Sequence, residues 1–313
     1  MNLIDKRKAA SNQHCYSVLL AKEVLMDKTA ASTLTLCSVA CMLTGYSIEL
    51  NPRDSKAIES AERRLDPGTE VFFTWVGGKD PIDVVAPSAQ LRRAGLFPVP
   101  HIGAREIDSR EQLSQLASRL AQAGVDRALV IGADRPHPAG PYDSSLAVIE
   151  SGILQDAGIV RIAVGGFPEG NPHIPNLDLI ELLRRKVEFG RNHGLQMSIV
   201  TQFCFAAAPI AAWLGRVRAA GIDVPVRLGL AGPAGIITLT RYALRCGVGK
   251  SLHVLAENPA FAKLLVEKGP EPLVRDLVAA LCVKDRLPAG IAGLHFFVFG
   301  GFNKTVDWIE TMR

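Results

Sequence analysis

Signals for disulfides, membrane spans and metal sites are absent or weak in this 313-residue sequence. The six cysteines form no CxxC pair and no metal-ligand spacing, which is typical of a reduced intracellular protein. An apolar stretch near the N-terminus is interrupted by charged residues such as Lys22 and Asp27, so it predicts neither a signal peptide nor a membrane span. The seven histidines include no HExxH pair, and no metal is expected. We therefore expect a cytoplasmic protein.

Nucleic-acid and nucleotide-loop signals are missing as well. The 35 basic and 31 acidic residues are scattered, so the chain has no basic block of the kind that binds nucleic acid. The segment Gly247–Ser251 resembles the end of a P-loop, but Leu244 stands where that motif needs a glycine. The glycines of Gly229–Gly235 have the wrong spacing for a dinucleotide fingerprint.

The sequence does contain short apolar runs that alternate with helical patterns, which is typical of βα units around a parallel sheet. The predicted strands are Tyr46–Leu50, Val71–Val76, Gly95–His101, Arg127–Ile131, Val160–Val164, Gln196–Gln202, Val224–Leu230 and Gly293–Phe299. Eight such units favour closure into a (β/α)8 TIM barrel over an open sheet. With 48% hydrophobic residues, we expect one catalytic domain over residues 1–313.

Amphipathic stretches between the strands predict the outer helices. Ser109–Ala123 has leucines at helical spacing, and Gly124 is a candidate C-cap. Further helices are predicted over Lys56–Leu65, Ser144–Asp156, Leu177–Asn192 and Pro209–Ala220. Residues 1–43 are expected to form a leading helical segment over the barrel bottom. The stretch between strands seven and eight is too long for one helix, so extra helices are expected there.

Polar residues fall at or just after the predicted strand ends, where (β/α)8 enzymes build their active sites. In chain order they are Glu49, Thr74, His101, Asp134, Glu169 with Asn171, and Gln202. Because the carboxyl ends of the strands meet at one face of a barrel, these residues are candidates for a single site.

Three of these side chains suit proton transfer and recognition of a heterocycle. Glu49 has apolar neighbours, and burial would raise its pKa so that it carries a proton near neutral pH; the alternative is a surface glutamate. Asp134 could accept hydrogen bonds from ring N–H groups, or it could cap the next turn. Gln202 could pair with a planar ring, or it could be a core amide bonded to the backbone.

A glycine- and proline-rich loop, Gly165–Pro172, carries Glu169 and Asn171. Further on, Arg184, Arg185 and Lys186 lie together within a predicted helix. Such a basic cluster can hold a pyrophosphate, although a solvated helix face is the alternative.

Several segments resemble motifs of one known family in order and spacing. The segments are Ser47–Pro52, Phe72–Trp75, Val99–Ile102, Gly166–Pro172, Arg184–Gly190, Ile199–Phe205 and Leu294–Phe297. Together they resemble methylenetetrahydrofolate reductases over about residues 46–302. The resemblance implies that NADH or NADPH reduces bound FAD, and that the flavin then passes a hydride to 5,10-methylenetetrahydrofolate to give 5-methyltetrahydrofolate.

The resemblance also implies roles for individual residues. Glu49 corresponds to the catalytic acid that helps to open the folate ring, and Asp134 to the carboxylate that contacts the pterin and tunes the flavin. Gln202 corresponds to the pterin-binding amide, with Phe203 beside it in the substrate site. The implied flavin contacts are Thr74, His101, Ala133, Asp134, Phe167, Asn171, Arg185 and Lys186.

The sequence departs from the family pattern at several of these positions. Gly132 and Ala133 stand where Arg-Gly is common, Asn171 replaces a usual His, Phe167 a usual Tyr, and Gly301 lies where an Arg is common. Fewer cations near a phosphate-bearing cofactor would weaken flavin binding unless others compensate.

These departures leave alternatives open within one-carbon metabolism. The chain could act chiefly in reverse, oxidising methyltetrahydrofolate, or could transfer hydride directly from NADH without tightly bound flavin. A third alternative is a folate-binding protein that has lost catalysis. The choice between NADH and NADPH is open, as is a homo-oligomer built through the helical barrel exterior.

Overall fold

The computed structural model describes residues 39–74, 80–133, 135–172, 174, 178–248, 269–282 and 287–313. Eight parallel strands pair in chain order, and the last strand pairs with the first to close a barrel. The strands are β1 (Ser47–Leu50), β2 (Glu70–Phe73), β3 (Phe97–Gly103), β4 (Arg127–Ile131), β5 (Arg161–Gly166), β6 (Gln196–Thr201), β7 (Val226–Ala231) and β8 (Ile291–Phe297). The predicted (β/α)8 fold is confirmed.

Helices follow the strands and cover the outside of the barrel. They are α1 (Ser55–Arg64), α2 (Val85–Arg93), α3 (Arg110–Gln122), α4 (Ser145–Glu150), α5 (Ile153–Asp156), α6 (Leu179–Asn192), α7 (Ala207–Ala219), α8 (Ile236–Arg245), α9 (Glu271–Leu281) and α10 (Phe302–Met312). Two of them, α8 and α9, lie between β7 and β8, as the length of that stretch predicts. The expected leading segment is described only from residue 39, and residues 39–43 are helical.

Local sequence explains where the helices begin and end. Ser109 caps α3 because its side chain accepts a hydrogen bond from the backbone N–H of Gln112. Gly124 follows the same helix with a φ of 77°, the left-handed conformation in which glycine costs least, and this agrees with the predicted C-cap. The buried stripe of α3, Leu113 to Leu120, packs into the main core.

One predicted helix is wrong in its extent. The stretch Ser144–Asp156 forms two short helices, α4 and α5, rather than one. The break is at Gly152, whose φ of 73° is left-handed and ends the helical hydrogen-bond ladder. Helices α2 and α10 were not predicted from the sequence.

The barrel interior is arranged in layers. At the bottom, Arg127 and Arg227 pair with Glu70 at 2.6 Å and 2.8 Å. Above them, an apolar layer from five consecutive strands fills the middle: Phe72, Val99, Leu129, Ala163 and Val200. Because ion pairs and this apolar layer fill the lower barrel among the described residues, the candidate site lies at the carboxyl ends of the strands, here called the mouth. Among the described helices, none is long and apolar enough to cross a membrane.

Candidate active site

Glu49 projects from β1 into the barrel just below the mouth. Its neighbours Ile48 and Leu50 are buried in the main core on the other face of the strand, since side chains alternate along a strand. Glu49 Oε2 lies 3.6 Å from Nε2 of His101 on β3 and 3.8 Å from Nε2 of His295 on β8. Contacts with non-adjacent strand β3 are possible only across the interior, so Glu49 is not a surface glutamate.

Burial shifts the charge state of all three groups toward neutrality. It raises the pKa of Glu49 to about 8 and lowers the pKa of His101 to about 3. The pKa of His295 is also lowered well below its ordinary value, by burial first and then by the nearby His101 and Arg227. At neutral pH the site therefore holds a protonated carboxyl group beside two neutral imidazoles, a suitable arrangement for a general acid.

Ser47 and His295 are parts of this site that sequence reasoning missed. The Ser47 hydroxyl lies 2.8 Å from Nδ1 of His295, and both residues are fully buried. Ser47 lies two residues before Glu49 on β1, so both side chains share the interior face of that strand. That alternation and the closure of the barrel were predictable from the sequence, but the register of β1 on β8, which places Ser47 opposite His295, was not.

Gln202 follows β6 on the far side of the mouth. Its backbone N–H donates to the Gly166 carbonyl at 2.8 Å, and its side-chain oxygen accepts from the Phe203 N–H at 3.1 Å. The alternative of an amide bonded to the backbone is thus partly correct. Within the described part of the chain its amide nitrogen makes no hydrogen bond, which leaves that nitrogen to donate to a ligand.

An aromatic bridge joins the Glu49 side of the mouth to the Gln202 side. The Phe297 ring lies 4.8 Å from His295 and 5.4 Å from Phe203, between ring centroids. Gly229 makes room for it, because a Cβ there would lie 2.9 Å from the Phe297 ring and 2.2 Å from the Thr201 carbonyl. The Phe203 ring itself is fully buried, so it supports Phe297. Its role as a substrate contact stays a prediction.

The loop after β4 carries Asp134, which lies outside the described residues. Its neighbour Ala133 has a φ of 68°, a left-handed conformation that is rare for a residue with a Cβ. The Arg105 side chain anchors the loop after this point: Nε donates to the Asp143 carbonyl at 2.8 Å, and Nη1 to the Arg135 carbonyl at 3.2 Å. The Arg105 backbone N–H also donates to the Gly132 carbonyl at 3.1 Å.

The predicted flavin-contact residues near the strand ends are partly buried. Thr74 follows β2, and its backbone N–H donates to the Leu50 carbonyl at 2.9 Å. Phe167 follows β5 and folds back over Gly165, where an added Cβ would lie 3.3 Å from the ring. Asn171, further along the same loop, is also half-buried.

The basic cluster on α6 separates into three environments. Arg184 is engaged on the helix surface, with Glu181 and Glu188 each 2.7 Å away. Arg185 is exposed, whereas Lys186 is half-buried, and burial lowers its pKa to about 8. Arg184 thus fits the solvated-face alternative, and Arg185 and Lys186 are the cations left to meet a phosphate.

Two positions where cations are expected in the resembled family differ sharply in the space around them. At Gly132 an added Cβ would meet nothing within 4 Å. At Gly301 it would lie 3.1 Å and 3.2 Å from the backbone oxygens of Pro233 and Val298. A side chain is therefore accommodated at Gly132 but crowded at Gly301.

Comparison with known proteins agrees with this architecture. A family model described as methylenetetrahydrofolate reductase matches residues 60–299. The 5,10-methylenetetrahydrofolate reductase of Pectobacterium carotovorum subsp. carotovorum is 29% identical over 158 residues, which is 50% of this chain and 50% of that one. Methylenetetrahydrofolate reductase 2 of Saccharomyces cerevisiae is 29% identical over 143 residues, 44% of this chain and 22% of the yeast protein. The matched region thus spans half the length of the bacterial relative.

A solved structure shares the fold. It is an uncharacterized protein from Clostridium thermocellum, described as binding two copies of 5-methyl-5,6,7,8-tetrahydrofolic acid. It superposes with a TM-score of 0.58 at 14% identity and covers 85% of this chain and 93% of its own. At that identity the likeness shows the barrel fold alone.

Proposed function

Because the chain belongs to the methylenetetrahydrofolate reductase family, we propose that it uses FAD to pass a hydride from NADH or NADPH to 5,10-methylenetetrahydrofolate. The product is 5-methyltetrahydrofolate. The observation that carries the proposal is Glu49, a carboxyl group held inside the barrel mouth with a pKa raised to about 8. A group that keeps its proton at neutral pH and is open to the mouth can give that proton to a bound substrate.

The residues present are compatible with a flavin in the mouth. His101 is buried, yet its Nε2 has no hydrogen-bond partner among the described atoms, so it can bond to a ligand. Arg185 and Lys186 offer positive charge for a pyrophosphate. The space beside Gly132 is open, since a Cβ added there would meet nothing within 4 Å. We assign the flavin-contact role to these residues together with Thr74, Ala133, Asp134, Phe167 and Asn171. When bound, FAD supplies hydride transfer between the two substrates.

In the proposed mechanism Glu49 supplies the proton that opens the folate ring. The proton passes from the carboxyl group to the ring nitrogen that leaves the methylene carbon. The C–N bond breaks, and the resulting cationic iminium accepts the hydride. The amide nitrogen of Gln202 donates to the pterin, and Asp134 accepts from its N–H groups. Phe297, partly exposed between the two sides, provides an apolar wall that excludes water.

A glutamine at position 49 tests the assignment, because it keeps the shape of the side chain and removes the proton. The Glu49→Gln enzyme should lose folate-dependent NADH oxidation by at least about a hundredfold, the usual contribution of a general acid. It should still oxidise NADH with an artificial acceptor after FAD is added. Glu59→Gln, on the exposed face of α1, serves as the matched control and should behave as wild type. Normal folate turnover by Glu49→Gln would remove the role given to this residue.

The absent cations at Gly132 and Gly301 motivate a second candidate, in which the nicotinamide passes its hydride directly to the folate. An absorbance spectrum after FAD is added, followed by product analysis in both directions, separates the candidates. Flavin uptake with folate reduction supports the main proposal. A colourless but active enzyme favours direct transfer, and faster oxidation of methyltetrahydrofolate than its formation favours the reverse role. Tight folate binding without any electron transfer would indicate a binding protein.

A further inference from the structure

Beneath Glu49 lies a buried Ser–His pair that the proposed mechanism does not yet use. Ser47 Oγ is 2.8 Å from Nδ1 of His295, and the opposite nitrogen, Nε2, is 3.8 Å from Oε2 of Glu49. The three side chains therefore form a line from the floor of the site to the carboxyl group. His295 packs between two rings that are nearly perpendicular to it, with centroids 4.6 Å away for Phe72 and 4.8 Å for Phe297.

A purely structural role does not account for the whole arrangement. A buried histidine that only filled space would bond through both ring nitrogens or be replaced by an apolar residue, because unpartnered buried polar atoms are costly. Here Nδ1 has a partner, whereas Nε2 is buried without one in the described residues and faces Glu49. Nε2 of His295 thus points at Glu49, the group whose charge changes when it gives its proton to the substrate.

The tautomer of His295 follows from what Ser47 can do. A fully buried hydroxyl must donate its hydrogen to an acceptor, and Nδ1 is the acceptor within reach. If the hydroxyl donates to Nδ1, the single proton of the neutral imidazole must be on Nε2, which faces Glu49. We propose that Ser47 and His295 are positioning residues, which direct an N–H toward Glu49 and stabilise the carboxylate left after Glu49 has given its proton away.

The proton count of this arrangement is simple. Glu49 loses one proton to the substrate nitrogen, His295 keeps its own proton on Nε2, and Ser47 keeps its hydroxyl hydrogen. Water at the mouth returns a proton to Glu49 between turnovers. The other titratable or charged groups that act on this imidazole are His101 from β3 and Arg227 from β7. Burial first, and then these two groups, disfavour a second proton on His295, so it stays a neutral donor.

Ser47→Ala is the most direct test, because it removes one oxygen atom and leaves the imidazole in place. The inference rests on the acid role of Glu49, so folate turnover is measured with the FAD-loaded enzyme across pH. Ser47→Ala should lower the rate of folate reduction about tenfold, the loss expected when the Glu49 carboxylate no longer receives a hydrogen bond from a correctly oriented His295. The alkaline limb of the rate profile should move to higher pH, since the carboxylate is less stabilised. NADH oxidation with an artificial acceptor should not change.

Variants of His295 separate the two ring nitrogens. Gln places an amide N–H near the position of Nε2, whereas Asn reaches only the position of Nδ1. His295→Gln should therefore keep more folate turnover than His295→Asn. Ser88→Ala is the matched control, because it also removes a fully buried hydroxyl. Ser88 lies on α2, outside the strands, and its hydroxyl donates to the Val84 carbonyl at 2.7 Å. The control variant should leave the rate and the pH profile unchanged.

Three outcomes would overturn the inference, and they distinguish its failure from failure of the proposed function. If Glu49→Gln is inactive but Ser47→Ala keeps the wild-type rate and pH profile, the inference is wrong and the reductase assignment stands. If Glu49→Gln retains folate turnover, the acid role itself fails, and this inference fails with it. If Ser47→Ala loses folate reduction and NADH oxidation equally, and has a lower Tm than Ser88→Ala, the role of Ser47 is structural and the inference is also overturned.

Discussion

Replacing Glu49 with glutamine should make the protein more stable while it abolishes folate chemistry. Burial raises the pKa of this carboxyl group from 4.5 to about 8 in the folded protein. Between these values the folded state holds a proton that the unfolded chain releases. The contribution of Glu49 to stability is therefore fully present below about pH 4.5 and is lost as the pH rises toward 8. Glutamine carries no charge at any pH and avoids that loss.

The size of the effect follows from the pKa difference. Each unit corresponds to about 1.4 kcal/mol, so the free energy of unfolding should fall by about 4 kcal/mol between pH 4.5 and pH 7.5 because of this group. That figure is an upper limit, since 14% of the Glu49 side chain is exposed and solvent can stabilise the carboxylate. An advantage of about 2 to 3 kcal/mol for Glu49→Gln at neutral pH is a reasonable expectation.

Urea unfolding of the cofactor-free protein, followed by tryptophan fluorescence from about pH 5 to pH 8, measures the difference between variant and wild type. The titrations of His101 and His295 affect both proteins and largely cancel in the difference. Any change in packing caused by the amide adds an offset that does not vary with pH. For Glu59→Gln, on the protein surface, the difference in unfolding free energy from wild type should not vary with pH. If the difference for Glu49→Gln does not vary with pH either, the inference that this carboxyl group is buried in its neutral form is refuted.

Three further outcomes are expected. Ala133→Gly should raise the free energy of unfolding by about 0.5 to 1 kcal/mol, because it relieves the strain of a left-handed alanine. The control Ala123→Gly, at a φ of −76°, should lower it. Equal shifts of the two urea midpoints would show that Ala133 is not strained. Gly132→Arg should tighten FAD binding about tenfold in a fluorescence titration, whereas Gly301→Arg should lower the Tm because its Cβ meets backbone oxygens. Arg105→Ala should raise KM for the folate severalfold more than Arg105→Lys, because it frees the loop that carries Asp134; unchanged steady-state kinetics would show that the anchor is dispensable.

The architecture was largely predictable because each strand carries its own local signal. β-type apolar runs end in glycines, prolines or polar residues, and β4 was predicted with its observed bounds, Arg127–Ile131. Errors occurred at ends and breaks. Strand β3 lies two residues later than predicted, since Gly95 has a φ of 80° and belongs to the turn before it. Gly152 divided a helix for a similar reason: the pattern of apolar residues does not show where a glycine takes a positive φ.

The candidate site was predictable in part. The strand-end rule indicated Glu49, His101 and Gln202 because parallel strands bring their carboxyl ends to one face. It did not indicate which way Glu49 points, since either face of β1 could have been the interior one. Nor did it indicate Ser47, an ordinary residue within the strand and not at its end.

By itself the sequence determined the order of strands and helices, the face of the barrel that carries the polar residues, and the family to which the chain belongs. Those properties depend on local periodicity and on motifs read along the chain. Only the tertiary structure decided that Ser47 meets His295, 248 positions away, and that two neutral imidazoles face one carboxyl group. The register of β8 on β1 creates that contact, and burial, which no stretch of sequence defines alone, sets the protonation states.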